Sequence, residues 1–441
     1  MASDAWVIDD AWVINDIAMA IRPPSISARI QRVAQALLKE ETDYHKYYVP
    51  KLVSIGPYHN GNPMLMSVER LKPVLTKDLL SKYDVDLYSL YKMFGEPNRV
   101  QSFRDYYEEG STDHLSDKEF TRMMLLDGCF IVHYIRFIYG EKPDAYGALR
   151  SHQIVFIHQD LLLLENQIPF QILKMVMEFI KFDRPDKFGS FFADSLLARG
   201  IRQTRVWSKN DQISERESQA SLKILEADHL LHHLHSSLTH TQYRSKSKKS
   251  EIISHRYTYR SLKQLSSVGI HFKSSRVMSL AHVKFVKRHR WWLSADVELP
   301  PIIVDESTKT MLLNLIAHEI ITTDEHAWVT SYICLLDSLI RQPEDVAALR
   351  EAGVLDSSFT SDKEVANLIN EIATDLVPST LAYSDAKTLI ENHFESWKNA
   401  RLSHLIHQYV DWSLLATFGG VLGLFLSAVQ AYFTVWSPKS R

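Results

Sequence analysis

Residues 412–436 read WSLLATFGGVLGLFLSAVQAYFTVW, a run of 25 without one Asp, Glu, Lys, Arg or His. As an α-helix this stretch is about 37 Å long, enough to cross a hydrocarbon core of ~30 Å with some tilt. Eleven of its residues are Leu, Phe or Val, each favouring insertion by roughly 0.3–0.6 kcal/mol, so the sum reaches several kcal/mol. Gln430 and a few hydroxyls offset only part of it. Trp412 and Trp436 close the two ends, with Tyr409 and Tyr432 nearby, as an aromatic belt at each interface requires. The reading is a transmembrane helix with a body, residues 1–411, before it and a short tail, 437–441, behind it.

Inside the span Gly419, Gly423, Ser427 and Ala431 recur every four residues. That spacing lays small side chains along one ridge, a packing face that would let two copies of the helix pair closely. The N-terminus, MASDAWVIDDAWVIND, has no basic n-region, and Asp4, Asp9, Asp10 and Asp16 break its apolar run, so it does not read as a signal peptide. A span so near the C-terminus is expected to insert after translation, leaving the body in the cytosol, with the plasma membrane the favoured site. Residues 1–25 form an acidic arm holding a tandem Ala-Trp-Val-Ile repeat, read as an amphipathic helix.

The body reads as mainly α, with minor short β segments. The chain has 45% apolar and 23% charged residues, which excludes general disorder, and only 14 Gly and 15 Pro, too few for a strand-and-turn architecture. Cys129 and Cys334 sit in separate apolar segments and read as buried free thiols. Helical spacing of apolar residues marks 25–41, 64–80, 117–139, 307–321, 326–340, 343–352, 361–376 and 384–409. The last of these leads almost directly into the span, which would hold the body close to the bilayer. Residues 182–258 lose periodicity and read as a variable insert with one helix, 215–238.

Candidate chemistry is sparse. Asp127 lies within MMLLDGCFIV, where a carboxylate must find a hydrogen-bond partner, and it reads as a satisfied core residue. Glu165, Asn166 and Gln167 follow four leucines and precede Pro169, placed to satisfy backbone groups at a buried helix junction. His229, His232, His233, His235 and His240 could pair as metal ligands at 229/233 or 232/235, but no third ligand stands at a convincing spacing. They read as an exposed histidine-rich helix. Ser236 to Arg290 carries thirteen Lys and Arg against one acid, Glu251, and ends near Trp291 and Trp292. Beside a membrane anchor this suits anionic lipid better than nucleic acid, and a solvated basic loop is the plain alternative. No catalytic, cofactor-binding or metal-ligating set is expected; His318-Glu319 lacks the second histidine of a zinc-protease helix.

Several motifs in fixed order resemble one plant-specific family, domain of unknown function 247, also called uncharacterised protein family 0481. They are Val53-Ser-Ile-Gly-Pro-Tyr-His59, Met124-Leu-Leu-Asp-Gly-Cys-Phe130 and Asp160-Leu-Leu-Leu-Leu-Glu-Asn-Gln-Ile-Pro-Phe170. Arg260-Ser-Leu-Lys-Gln-Leu265, Val268-Gly-Ile-His-Phe-Lys273, Leu299-Pro-Pro-Ile302, Asn314-Leu-Ile-Ala-His-Glu319 and Glu344-Asp-Val-Ala-Ala-Leu-Arg350 continue it. The resemblance spans about residues 26–436; Ser266-Ser267 and Asn60 depart from its usual residues. It implies a single-pass plant membrane protein with no assigned catalytic residues, and some grass members are implicated in pollen-side self-incompatibility. The expected function is a non-enzymatic, membrane-tethered recognition or signalling protein binding a protein partner. A membrane-surface enzyme using Asp127, Glu165 or the histidines is the alternative, and a structural tether a third.

Overall fold

The computed structural model describes residues 28–138, 151–182, 227–239, 260–277, 279–288, 294–322 and 324–436, with backbone alone at 41, 151–152, 399–415 and 435–436. The arm 1–25, most of the 182–258 insert, and the basic and aromatic residues at 240–259 and 289–293 lie outside them.

The chain enters through an extended segment rather than the helix expected at 25–41. Arg29 and Ile30 donate their N–H groups to Tyr106 O at 2.9 and 2.8 Å, and only Gln35–Leu37 makes one 3-10 turn. The reason lies far along the chain. Glu108 Oε1 takes the Arg32 N–H at 2.8 Å and Glu165 Oε1 takes the Val33 N–H at 2.9 Å, so side chains satisfy donors that a helix would otherwise use. The apolar spacing instead seats Ile30 and Val33 in the core.

Helices α1 (Glu41–Tyr47), α2 (Met66–Glu69), α3 (Lys72–Lys82), α4 (Leu87–Phe94) and α5 (Pro97–Arg104) follow. The last three pack on α6 (Asp117–Ile138), the centre of the N-terminal half. From residue 127 to 136 every position of α6 is buried, the mark of a helix enclosed on all sides. Helix α7 (Ser151–Asp160) leads through the leucine run to α8 (Phe170–Phe179), which crosses α6 at Gly128. A Cβ there would meet Ile172 Cγ2 at 2.7 Å, so the glycine sets the distance between the two helices. Helix α9 is Leu230–Thr239.

The C-terminal half begins with α10 (Leu262–Ser266) and a three-stranded sheet of order β1-β3-β2, from β1 (Ile270–Ser274), β2 (Lys284–Lys287) and β3 (Ala295–Leu299). β3 runs parallel to β1 and antiparallel to β2. Asp296 at its centre binds Lys273 at 2.7 Å and Arg288 at 2.8 Å, so part of the basic stretch serves to join strands. A second ladder pairs β4 (Ile302–Val304) with β5 (Leu355–Ser357) in parallel. Helices α11 (Glu306–Thr322), α12 (Trp328–Leu339), α13 (Pro343–Glu351) and α14 (Asp362–Ala373) pack on them within two residues of the expected helix starts. One continuous apolar core joins both halves and includes Cys129; Cys129 and Cys334 are both free and buried.

The chain ends in α15, Ser384–Trp436, a single helix of 53 residues and thus about 80 Å long. Its first turns are fastened to the body. Arg260 grips Glu391 at 2.6 and 3.1 Å and lies over the Phe394 ring, His393 Nε2 lies 3.1 Å from Val268 O, and Ala386 and Phe394 are buried. Farther on, residues 416–434 are exposed throughout and form the stretch long and apolar enough to cross a membrane.

Candidate functional site

The three N-terminal motifs converge, although more than a hundred residues separate the first from the last. Asn166 accepts the Ile55 N–H at 2.7 Å and donates to Val53 O and Asp160 O at 3.0 and 2.8 Å. Gln167 donates to Leu161 O and Leu163 O and accepts the Leu231 N–H at 3.1 Å. Asp160 takes three consecutive N–H groups, from Lys51, Leu52 and Val53, at 2.7–2.9 Å. From the other half, Asn314 accepts the Leu164 N–H at 2.8 Å and donates to Tyr47 O. Each of these side chains thus replaces a missing regular ladder at a point where backbone turns inside the core.

Asp127 is satisfied in the same way. One oxygen accepts the Gly56 N–H at 2.8 Å; the other meets Lys72 Nζ at 2.6 Å. Lys72 also holds Glu69 and Ser54 O, both at 2.5 Å. Burial pushes the Asp127 carboxyl up, and Lys72 and the Gly56 amide pull it back. Gly56 must be glycine here: its φ is +76° and a Cβ would stand 2.4 Å from Gln167 O.

At the rim of this junction Glu165 holds Val33 N–H and the Tyr44 hydroxyl, the latter at 2.7 Å. His59 Nε2 lies 3.6 Å from the same carboxylate, and Arg32 reaches it from solvent at 4.0 Å. Burial raises the Glu165 carboxyl above its ordinary range and lowers His59 to about 4.

The histidines are not the exposed face that their sequence suggests. His229, His233 and His235 are buried, because Leu230, Leu231, Leu234 and Leu238 make α9 apolar on several sides and it is enclosed. Neither expected pairing forms as such. His229, His232 and His235 instead gather on His318 of α11, while His233 turns to Phe170. His235 Nε2 lies 2.9 Å from Glu319, whose carboxylate also caps the start of α12 through Val329 N, Thr330 N and the Thr330 hydroxyl. His318 is the member that spacing could not find. Its only signal was an imidazole and a carboxylate in succession within an apolar helix. His240 lies outside the described residues.

On α15 the small-residue ridge is bare: a Cβ on Gly419 or Gly423 would meet nothing within 4 Å, and Ser427 and Ala431 are exposed. The side chains of Trp412 and Trp436 are outside the described set.

A family model described as a plant protein of unknown function, DUF247, matches residues 30–426. UPF0481 protein At3g47200 of Arabidopsis thaliana is 27% identical over 427 residues, covering 89% of this chain and 83% of its own. A second UPF0481 protein of that plant, At3g02645, is 24% identical over 503 residues, covering 94% and 92%. No solved structure matches significantly.

Proposed function

The chain belongs to the plant DUF247 family, and we propose that it is a non-enzymatic, membrane-tethered recognition or signalling protein whose helical body binds a protein partner. The observation that carries this reading is the continuity of α15. Its start is clamped into the body by Arg260, His393 and Phe394, and its far end presents an exposed apolar surface of membrane-spanning length. A helix without a break transmits the position of the bilayer rigidly to the body, which suits a module displayed at a membrane surface.

The polar motifs support the non-enzymatic half of the reading. Asp127, Asp160, Asn166 and Gln167 spend their hydrogen-bonding capacity on backbone groups and on Lys72, which is the behaviour of fasteners. The body is proposed to face the cytosol, at the plasma membrane, and the Gly419–Ala431 ridge to pair two copies in the bilayer. A role in cell–cell recognition follows the family's grass members.

Protease treatment of sealed plant membrane vesicles of known orientation, carrying full-length protein tagged at the N-terminus, tests the placement. Digestion of the tag from the cytosolic side supports an intracellular partner. A protected tag would place the body on the opposite face and overturn that part of the proposal.

A further inference from the structure

Helix α9 opens on imidazoles where a helix commonly opens on a hydroxyl or a carboxylate. His229 stands just before Leu230, and its Nδ1 accepts the His232 N–H at 3.3 Å, the bond by which an N-cap side chain closes the first turn. His232 Nδ1 accepts the Asp228 N–H at 3.1 Å. Both bonds use the Nδ1 lone pair and so need an uncharged ring, its proton on Nε2. His229, His232 and His235 surround His318 of α11, with ring centroids 5.1, 5.4 and 5.4 Å from its own. His229 and His318 are buried, and His318 Nδ1 has no hydrogen-bond partner among the described residues. The charged neighbours serve the other two rings: Asp228 stands 3.3 Å from His232 and 2.6 Å from Arg29, and Glu319 stands 2.9 Å from His235. Asp324 comes within 4.8 Å of His235 as well, and on α8 Lys174 lies over Phe170, the ring that His233 meets.

We propose that this cluster is a pH-operated clasp, which holds α9 on α11 while its rings are neutral and which acid opens. A proton added to His229 Nδ1 turns an acceptor into a donor facing the His232 N–H, and the cap is lost. It also sets a cation at a helix N-terminus, where the macrodipole opposes it, and 5.1 Å from His318. Charge on His232 or His235 finds a carboxylate, yet still stands 5.4 Å from the buried His318 ring. Burial first, then the three neighbouring imidazoles, hold His318 well below its ordinary value. Burial and His232 lower His229 to about 3, against an opposing pull from Asp228 and the Arg29 backbone. The unfolded ring titrates near 6.5, so the neutral clasp is whole above about pH 6.5 and weakens as pH falls toward 3. Asp228 does not offset this: burial raises its carboxyl, but His232 and Arg29 bring it below the ordinary range, so it stays charged through the upper part of that window. Opening α9 reaches the motif junction, because Leu231 N donates to Gln167 and Phe170 N donates to Asp228 O at 2.7 Å.

The test is amide hydrogen exchange of the full-length protein in detergent at about pH 7.5 and pH 5, read as protection factors so that the intrinsic pH dependence of exchange cancels. Between those values His229 alone weakens the closed clasp roughly 30-fold, and His318 adds in the same direction. Protection across 230–239 should therefore fall at least about tenfold more than across α6 and α14, which hold no ring of the cluster. His229→Asn keeps an N-cap acceptor that cannot take a charge, and His318→Phe keeps a ring in the packing. In the double variant the extra loss should shrink below about threefold. A wild-type loss shared equally by α6 and α14 overturns the proposal without recourse to any variant, and so does a double variant that keeps the full extra loss.

Discussion

Replacing Asp127 by Leu removes one charge of a buried pair and leaves the other in place. Lys72 Nζ sits 2.6 Å from Asp127 in a side chain 2% exposed, so its ammonium cannot turn to water. Breaking such a pair from one side costs about 3–5 kcal/mol. Glu69, 2.5 Å from the same nitrogen, stays as a counter-charge and keeps the loss near the lower end, about 3 kcal/mol. The Gly56 N–H loses its acceptor too, adding about 1 kcal/mol or more. Lys72→Met together with Asp127→Leu exchanges the pair for apolar volume. That double variant should recover to within about 2 kcal/mol of the wild type, since the unpaired buried ammonium disappears; the Gly56 amide, the Ser54 carbonyl and the partly exposed Glu69 carboxylate each lose one partner. Urea unfolding of the full-length protein in detergent, followed by near-ultraviolet circular dichroism, reads all three. A single-variant loss under 1 kcal/mol, or a double variant as weak as the sum of the two singles, would refute the claim that Asp127 is a fastener paired with Lys72.

Gly56→Ala should cost about 2 kcal/mol or more, because φ at +76° strains any L side chain and the new methyl would stand 2.4 Å from Gln167 O; a melting temperature equal to wild type would contradict this. His59 contributes an acid-sensitive share of stability. Its folded value of about 4 is below the unfolded value near 6.5, so the contribution is whole above pH 6.5 and is lost as pH falls toward 4. Between pH 7.5 and 5 that loss is about 2 kcal/mol, and His59→Phe should remove it; equal acid losses in both proteins would refute the assignment. Asp160, raised to about 6 by burial, works in the opposite sense over the lower part of this window and makes the comparison between the two proteins, not the raw slope, the informative quantity.

Long periodic segments could be read from sequence because one feature, burial of an apolar face, decided them. The helix expected at 117–139 is Asp117–Ile138, and that expected at 307–321 is Glu306–Thr322. The polar triplet at 165–167 was legible for a related reason: three polar groups between four leucines and a proline have few places to go except backbone. What the sequence hid was action at a distance. The expected helix at 25–41 gives way because Glu108 and Glu165, 76 and 132 residues farther on, take its amides. The histidines of α9 were misread as exposed because the helix that covers them, α11 with His318, comes 83 residues after His235. The sheet of β1, β2 and β3 was not located: minor short β segments were expected without a place, and 236–290 was read as a basic stretch, since strands of four or five residues carry little periodicity of their own.

The central claim is that residues 416–434 of α15 hold the body to a bilayer. Alkaline carbonate extraction of plant membranes expressing the full-length protein tests it most directly, with a Leu422→Arg, Leu426→Arg variant alongside. Two arginines at the centre of the span cost about 5–7 kcal/mol of insertion free energy, as much as the whole span supplies. The wild type should stay in the membrane pellet and the variant should pass to the supernatant. Wild-type protein released by carbonate, or a variant retained as firmly as the wild type, would contradict a transmembrane anchor and the proposed function that rests on it.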